Sequence, residues 1–195
     1  PSTAAGWTAC SKSCSLDMTT ALRWLGQHLR KRWRAHALNL LMLLGVFAGT
    51  HWWQTRNLPS GPLPALPLEL ASGERLSLEQ WRSRHPGQAT ALYVWAQWCP
   101  ICRVQEPTIT GLQQDHPVLT VAMQSGQTAQ VARLLQERRL PWTTAVDPDG
   151  NIAGALGVHA VPTILVMDAQ GNVTGSSVGY TSAWGMRLRL WWANW

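Results

Sequence analysis

The chain has 195 residues, 46% of them hydrophobic, with 13 tryptophans, 4 cysteines and a formal net charge of +6. That length suffices for one domain with a real core plus an added segment. The positive charge excludes little by itself, but its placement argues against nucleic acid. Residues 1–56 hold seven basic side chains (Lys12, Arg23, Arg30, Lys31, Arg32, Arg34, Arg56) against Asp17 alone, and the remainder is balanced at nine of each sign.

Residues 1–17 are polar and Ser-rich, with Cys10 and Cys14 separated by three residues. They read as a disordered tail rather than a metal or redox site. Met18 opens a segment laid out like a natural start, which sets residues 1–17 apart as an extension or a misassigned start. Residues 1–34 as a whole form a basic segment expected on the cytoplasmic side. From Ala37 to Trp53 the chain is apolar apart from Asn39, Thr50 and His51. As a helix this run would span about 26 Å, short but sufficient for a bilayer, with Trp52 and Trp53 suited to the interface. Residues 35–53 are therefore expected to be a transmembrane anchor. The Arg30, Lys31, Arg32, Arg34 cluster keeps its leading end inside and sends the rest outside. Small residues around Val46-Phe47-Ala48 also suit a signal peptidase, but the tryptophan pair favours an uncleaved anchor.

Residues 54–66 contain Pro59, Pro62, Pro64 and Gly61, a composition that stiffens towards polyproline II and reads as a tether. Residues 67–195 form the expected folded domain. Leu68-Glu-Leu70 and Leu76-Ser-Leu78 alternate around Ser72-Gly73 as a hairpin, followed by a short helix near Glu79 to Arg84. Thr90 to Trp95 is β-prone and apolar enough for a buried central strand, and Pro100 to Gln114 reads as a helix.

Between that strand and that helix stands Trp98-Cys99-Pro100-Ile101-Cys102. The two cysteines open the helix, where unpaired N–H groups and the dipole favour a thiolate. Pro100 suits the first helical position, because its missing N–H would find no partner there anyway. Cys99 is placed to attack and Cys102 to resolve. A pair at this spacing also fits half a zinc site or a structural disulfide, so a second signal is needed. It comes at Val161-Pro162-Thr163, immediately before the apolar run Ile164 to Met167.

Between these motifs, Val118 to Met123 is an expected strand and Gln127 to Arg139 a helix with Val131, Leu134 and Leu135 on one face. Trp142 to Val146 is a short strand closed by Asp147-Pro-Asp-Gly150, and Ile152 to Leu156 adds a helical turn. Ile164 to Met167 and Val173 to Val178 make a hairpin through Asp168-Ala-Gln-Gly171. A last helix from about Thr181 sets Trp184, Leu188, Trp191, Trp192 and Trp195 on one face. That face is expected to pack on the sheet, the competing reading being a membrane surface.

The dithiol and the Val161-Pro162 loop together resemble the thioredoxin fold, an α/β architecture with a central mixed sheet flanked by helices, preceded here by the transmembrane helix. The anchor, tether, leading hairpin and Trp-Cys-Pro-Ile-Cys helix resemble its TlpA-like branch over about Leu66 to Trp192. Val121 to Gly126 and the ending from Gly179 look like the membrane-bound oxidoreductases of the suppressor of copper sensitivity D (ScsD) type. The resemblance implies a bacterial inner-membrane protein, single-pass, with its soluble domain in the periplasm. It would exchange disulfides with protein thiols, in the reducing direction, and be recharged by a membrane electron donor. Cys99 is then the nucleophile, Cys102 the resolving thiol and Pro162 a cis-proline, with Trp98, Pro100, Ile101 and Val161 completing the substrate-binding surface. No cofactor and no metal are implied.

Two positions depart from the relatives. Tyr93 stands where thioredoxins proper carry a buried Asp, and Gln105 where TlpA-like domains often carry Glu. Glu106, one turn from Cys102, is the available substitute acid. A copper-binding or copper-delivery protein of the same fold is the alternative, with His159 as the candidate ligand, but such relatives separate their cysteines by three residues. A thiol peroxidase would need threonine where Ala96 stands.

Overall fold

The computed structural model describes residue 33 and residues 35–50 and 61–195. The chain forms two units, Pro1–Thr50 and His51–Trp195. In the first, residues 35–50 are helical (α1), and apolar side chains from Leu38 to Phe47 are exposed. Among the described residues no helix is long and apolar enough to cross a membrane. The expected span of 35–53 is described only as far as residue 50, so Trp52 and Trp53 lie outside the described residues. So do the Arg-Lys cluster, Cys10 and Cys14.

The second unit is organised on β4 (Thr90–Trp95), all six residues of which are buried. A strand covered on both faces needs no polar alternation, and this is why the run reads as continuously apolar. Its side chains still alternate in direction. Ala91, Tyr93 and Trp95 enter one core with Ile109 and Leu112, while Leu92 and Val94 enter the other with Leu68, Leu76 and Trp81.

Around β4 the six-stranded sheet runs in the order β1-β8-β7-β4-β5-β6. The strands are β1 (Gly61–Pro62), β5 (Val118–Met123), β6 (Thr144–Asp147), β7 (Thr163–Met167) and β8 (Asn172–Val178). β4, β5 and β6 are mutually parallel, whereas β7 runs antiparallel to β4 and to β8. The parallel half requires crossover helices, supplied by α3 (Pro100–Leu112) between β4 and β5 and α4 (Thr128–Glu137) between β5 and β6. A separate hairpin, β2 (Pro67–Glu69) with β3 (Arg75–Ser77), leads into α2 (Leu78–Ser83). There Ser77 and Gln80 exchange reciprocal side-chain to backbone hydrogen bonds as a capping box. Asp147 closes β6 and caps α5 (Asn151–Ala155), accepting from the N–H groups of Ile152 at 3.1 Å and Ala153 at 2.9 Å.

Two expectations are corrected. Residues 61–66, assigned by composition to the tether, are part of the domain: Gly61 and Pro62 pair with Val173 and Asn172 of β8, and Leu66 is buried. Proline is tolerated there because β1 lies on the sheet edge, where a missing N–H costs no ladder bond. The last helix, α6 (Ala183–Ala193), packs through Met186 and Leu190, not through its tryptophans. Trp184, Leu188, Trp191, Trp192 and Trp195 are all exposed. The helical spacing of those residues was legible, but which of two apolar faces meets the sheet was not.

Candidate active site

The chain leaves β4 at Trp95, passes through Ala96 to Trp98, and enters α3 with Cys99 as its N-cap. The Cys99 backbone is extended, and its sulfur accepts the N–H of Cys102 at 3.1 Å. A cap of this kind normally takes a hydroxyl or carboxylate oxygen. Here a sulfur does that work, and a thiolate would accept more strongly than a thiol. Pro100 occupies the first turn, as its fixed φ favours. Cys99 and Cys102 are joined as a disulfide with their Cα atoms 5.3 Å apart. Both are buried, Cys99 slightly less so, which leaves Cys99 as the sulfur an incoming partner meets first.

Opposite the dithiol lies the loop before β7, where the Val161–Pro162 peptide is cis. The Cys99 sulfur stands 3.8 Å from the Val161 carbonyl oxygen, a span over which the S–H of the reduced form could donate. The Pro162 carbonyl accepts the N–H of Gly179 at 2.8 Å, fixing the loop to the end of β8. Around the sulfur, Trp98 and Ile101 are exposed, as is Pro100, while Val161 is half-buried and Pro162 buried. Trp98, Pro100, Ile101 and Val161 thus present apolar surface, and Pro162 supports the loop from beneath.

The residues in the acid positions are now placed. Tyr93 is buried beneath the dithiol helix in the same core as both cysteines. Burial, and then the charge of Glu106, push its hydroxyl far above the ordinary tyrosine range, so it stays neutral. Gln105 is buried too, and its Nε2 donates to the Thr181 carbonyl at 3.1 Å, tying α3 to the start of α6. Glu106 is not free to serve as an unencumbered base: its Oε1 accepts from Arg138 Nη1 at 2.7 Å.

Several supporting residues carry no sequence signal. Ser125 Oγ accepts the Gln97 N–H at 2.9 Å and donates to the Met123 carbonyl at 2.9 Å, so the loop ahead of Cys99 is fastened to the end of β5. Trp142 meets both Tyr93 and Trp95 edge-on, with ring centroids 6.1 and 5.4 Å apart, and its Nε1 donates to Thr110 Oγ1 at 2.9 Å. Except for Ser125 with Met123, these partners are 28 to 49 positions apart in the chain, beyond any local pattern.

Among the described residues no group of three or more His, Cys, Asp or Glu side chains is placed to hold a metal ion. His159 is exposed. What the geometry provides is a reversible two-electron carrier made of two sulfurs: a helix-capping cysteine, a second thiol one turn inside, and an apolar rim.

A cysteine pair in this setting, on a mixed sheet flanked by helices and facing a cis-proline loop, defines a thioredoxin-fold thiol–disulfide oxidoreductase. Residues 59–176 match the AhpC/TSA family, and the chain belongs to that family. It is 33% identical over 130 residues to a thioredoxin-like protein of Haemophilus influenzae, covering 66% of this chain and 75% of that one. It is 28% identical over 145 residues to the thiol:disulfide interchange protein DsbE of Pseudomonas aeruginosa, covering 72% and 79%. The crystal structure of a putative DsbE from Chlorobium tepidum superposes with a TM-score of 0.61 at 25% identity, over 71% of this chain and 99% of that one. Protein thiols or disulfides are accordingly its class of substrate.

Proposed function

We propose that this oxidoreductase works as a periplasmic disulfide reductase held at the bacterial inner membrane, of the TlpA-like, suppressor of copper sensitivity D type. The observation that carries the chemical assignment is the Cys99 sulfur, which caps α3 by accepting the Cys102 N–H at 3.1 Å and faces Val161 at 3.8 Å. In the reduced protein the Cys99 thiolate attacks one sulfur of a substrate disulfide. A mixed disulfide forms and the other substrate sulfur leaves as a thiolate that takes up a proton. Cys102 then loses its proton and attacks the Cys99 sulfur, which breaks the mixed disulfide and releases the second substrate thiol. The substrate gains two electrons and two protons, and the protein is left with the Cys99–Cys102 disulfide. An extended substrate segment would lie along Val161 and Pro162, against Trp98, Pro100 and Ile101. A membrane electron donor, itself a dithiol, returns the pair to the reduced form.

The reducing direction is supported by the TlpA-like features and by the Pro-Ile dipeptide, which has no histidine to stabilise the thiolate further. Membrane attachment is supported by the apolar run from Ala37 to Trp53, by the exposed apolar side chains of α1, and by the basic cluster before it. The test of the roles is trapping. Cys102→Ala should accumulate mixed disulfides with partner proteins, since the intermediate then has no intramolecular exit, and Cys99→Ala should accumulate none. Equal trapping by both variants would overturn the assignment.

A further inference from the structure

We propose that α6 docks the folded domain onto an anionic lipid surface through its tryptophan face, an inference that rests on the membrane-anchored reading above. At about 100° per residue the buried Met186 and Leu190 and the partly buried Ala193 lie within about 60° of one another. Trp184, Leu188 and Trp191 follow the spacing i, i+4, i+7 and lie on the opposite side of the helix, with Trp192 beside them and Trp195, just past the helix end, against Trp191 with ring centroids 5.7 Å apart. These five side chains are between 56% and 88% exposed. At about 150–250 Å² per tryptophan, the indoles alone present roughly 450–750 Å², at or above the roughly 300–600 Å² of the largest apolar patch on an ordinary soluble monomer.

The chemistry of the face selects its occupant. Arg187 and Arg189 fall on its two flanks, and α6 carries no acidic residue. Arg187 Nη2 bonds Asp115 Oδ2 at 2.6 Å at the exposed surface, and the half-buried Arg189 donates from Nη1 to the Gly185 carbonyl at 3.0 Å. Indoles flanked by arginines fit the headgroup layer, where ring bodies enter the acyl boundary, indole N–H groups stay hydrated and cations meet lipid phosphate. A second copy fits less well, because apposed α6 faces would bring four arginines together against only the Asp115 of each copy. Between α6 and β8 there is also a hollow of about 450 Å³ lined by Thr174, Gly175, Arg189, Trp192 and Ala193, apolar except for the hydroxyl and the guanidinium. Chain length makes the encounter frequent: the ten residues between Thr50 and Gly61 reach at most about 40 Å. Because Gln105 holds Thr181 and Gly179 holds Pro162, α6 is fixed relative to the dithiol, and docking would set the direction in which the dithiol faces.

The experiment uses the full chain in phosphatidylglycerol-rich vesicles with either ordinary or brominated acyl chains, bromine being a contact quencher of indole. The α6 emission is taken as the difference between wild type and a Trp184→Ser/Trp191→Ser/Trp195→Ser variant, whose turnover of an insulin disulfide in detergent should match wild type. Docking predicts that this difference falls at least about twofold in brominated vesicles, and falls less in purely zwitterionic ones. If the chain floats with the vesicles while the difference is unquenched, docking is wrong and the anchor stands. A chain that does not float at all overturns both. An unquenched difference accompanied by a dimer that Trp191→Glu dissociates would assign the face to a second copy and likewise refute docking.

Discussion

Replacing Arg138 with alanine probes the link between the dithiol helix and the rest of the domain. Arg138 Nη1 lies 2.7 Å from Glu106 Oε1, and the two side chains are only 16% and 15% exposed. Exposed pairs contribute about 0–1 kcal/mol, whereas removing one partner of a fully buried pair costs about 3–5 kcal/mol. At this partial burial the loss should be about 2–3 kcal/mol, because a carboxylate is left in a half-dry site beside Tyr93. For a domain of this size that lowers Tm by roughly 5–10 °C. Glu106→Gln keeps an acceptor for Arg138 and should cost about 1–2 kcal/mol. In the double variant no charge is stranded, so its loss should fall short of the sum of the single losses by about 1–2 kcal/mol. Chemical denaturation of the four proteins, all with the Cys99–Cys102 bond oxidised, gives the cycle. A loss below about 0.5 kcal/mol for Arg138→Ala, or strict additivity, would show that the pair is solvated and that this argument is wrong.

An export-dependent reporter fused after Trp195 should be active, and the protein should stay with membranes in high salt; an inactive reporter would place the domain on the other side. Trp142→Ala should cost about 3–5 kcal/mol of stability, since it empties the space edge-on to Tyr93 and Trp95, whereas Trp142→Phe should cost much less, as read by thermal unfolding. Equal losses would show that the ring packing is not the source. Burial works against ionisation of Asp168, but hydrogen bonds from the backbone and side chain of Asn172 and the backbone of Gly171 and Gln170 hold its carboxyl below the usual 3.8. A depressed folded value means the stabilisation is complete above the unfolded value and is lost as pH falls through the folded one. Asp168→Asn should therefore be less stable than wild type at neutral pH, and the gap should close under strong acid; a gap independent of pH would refute the charge-based account.

What was legible in the sequence was local. The run Thr90 to Trp95 announces a buried strand because six consecutive apolar or β-prone residues leave few other places to put them, and β4 has those same limits. Cys99 and Cys102 are readable because a helix start fixes both their distance and their electrostatics. Pro162 is readable because of the strand behind it. The partnership of Arg138 with Glu106 was not, since a separation of 32 positions leaves no periodic trace of it. Nor was the domain boundary within residues 61–66. Their prolines speak for an extended chain, and an extended chain serves as well for an edge strand as for a linker. The tryptophans of α6 illustrate a different limit: a helix apolar on two opposite faces gives no periodic preference for either, and only the volume beneath the sheet decides.

The segment leading into the domain also has a colloidal role. Its first residues, Gly61 and Pro62, lie along β8, and nine positions later Leu70 forms a bridge to Ala145 on β6, the strand at the far margin of the same sheet. A single short strap thus touches both selvages, blocking part of each row of unspent N–H and C=O groups that would otherwise template pairing between molecules. A fragment beginning after Leu70 would keep the dithiol and the whole of β4 and yet bare both margins at once. Its failure would be fibrous or amorphous precipitation in the purification tube, well before any defect in sulfur chemistry could be assayed.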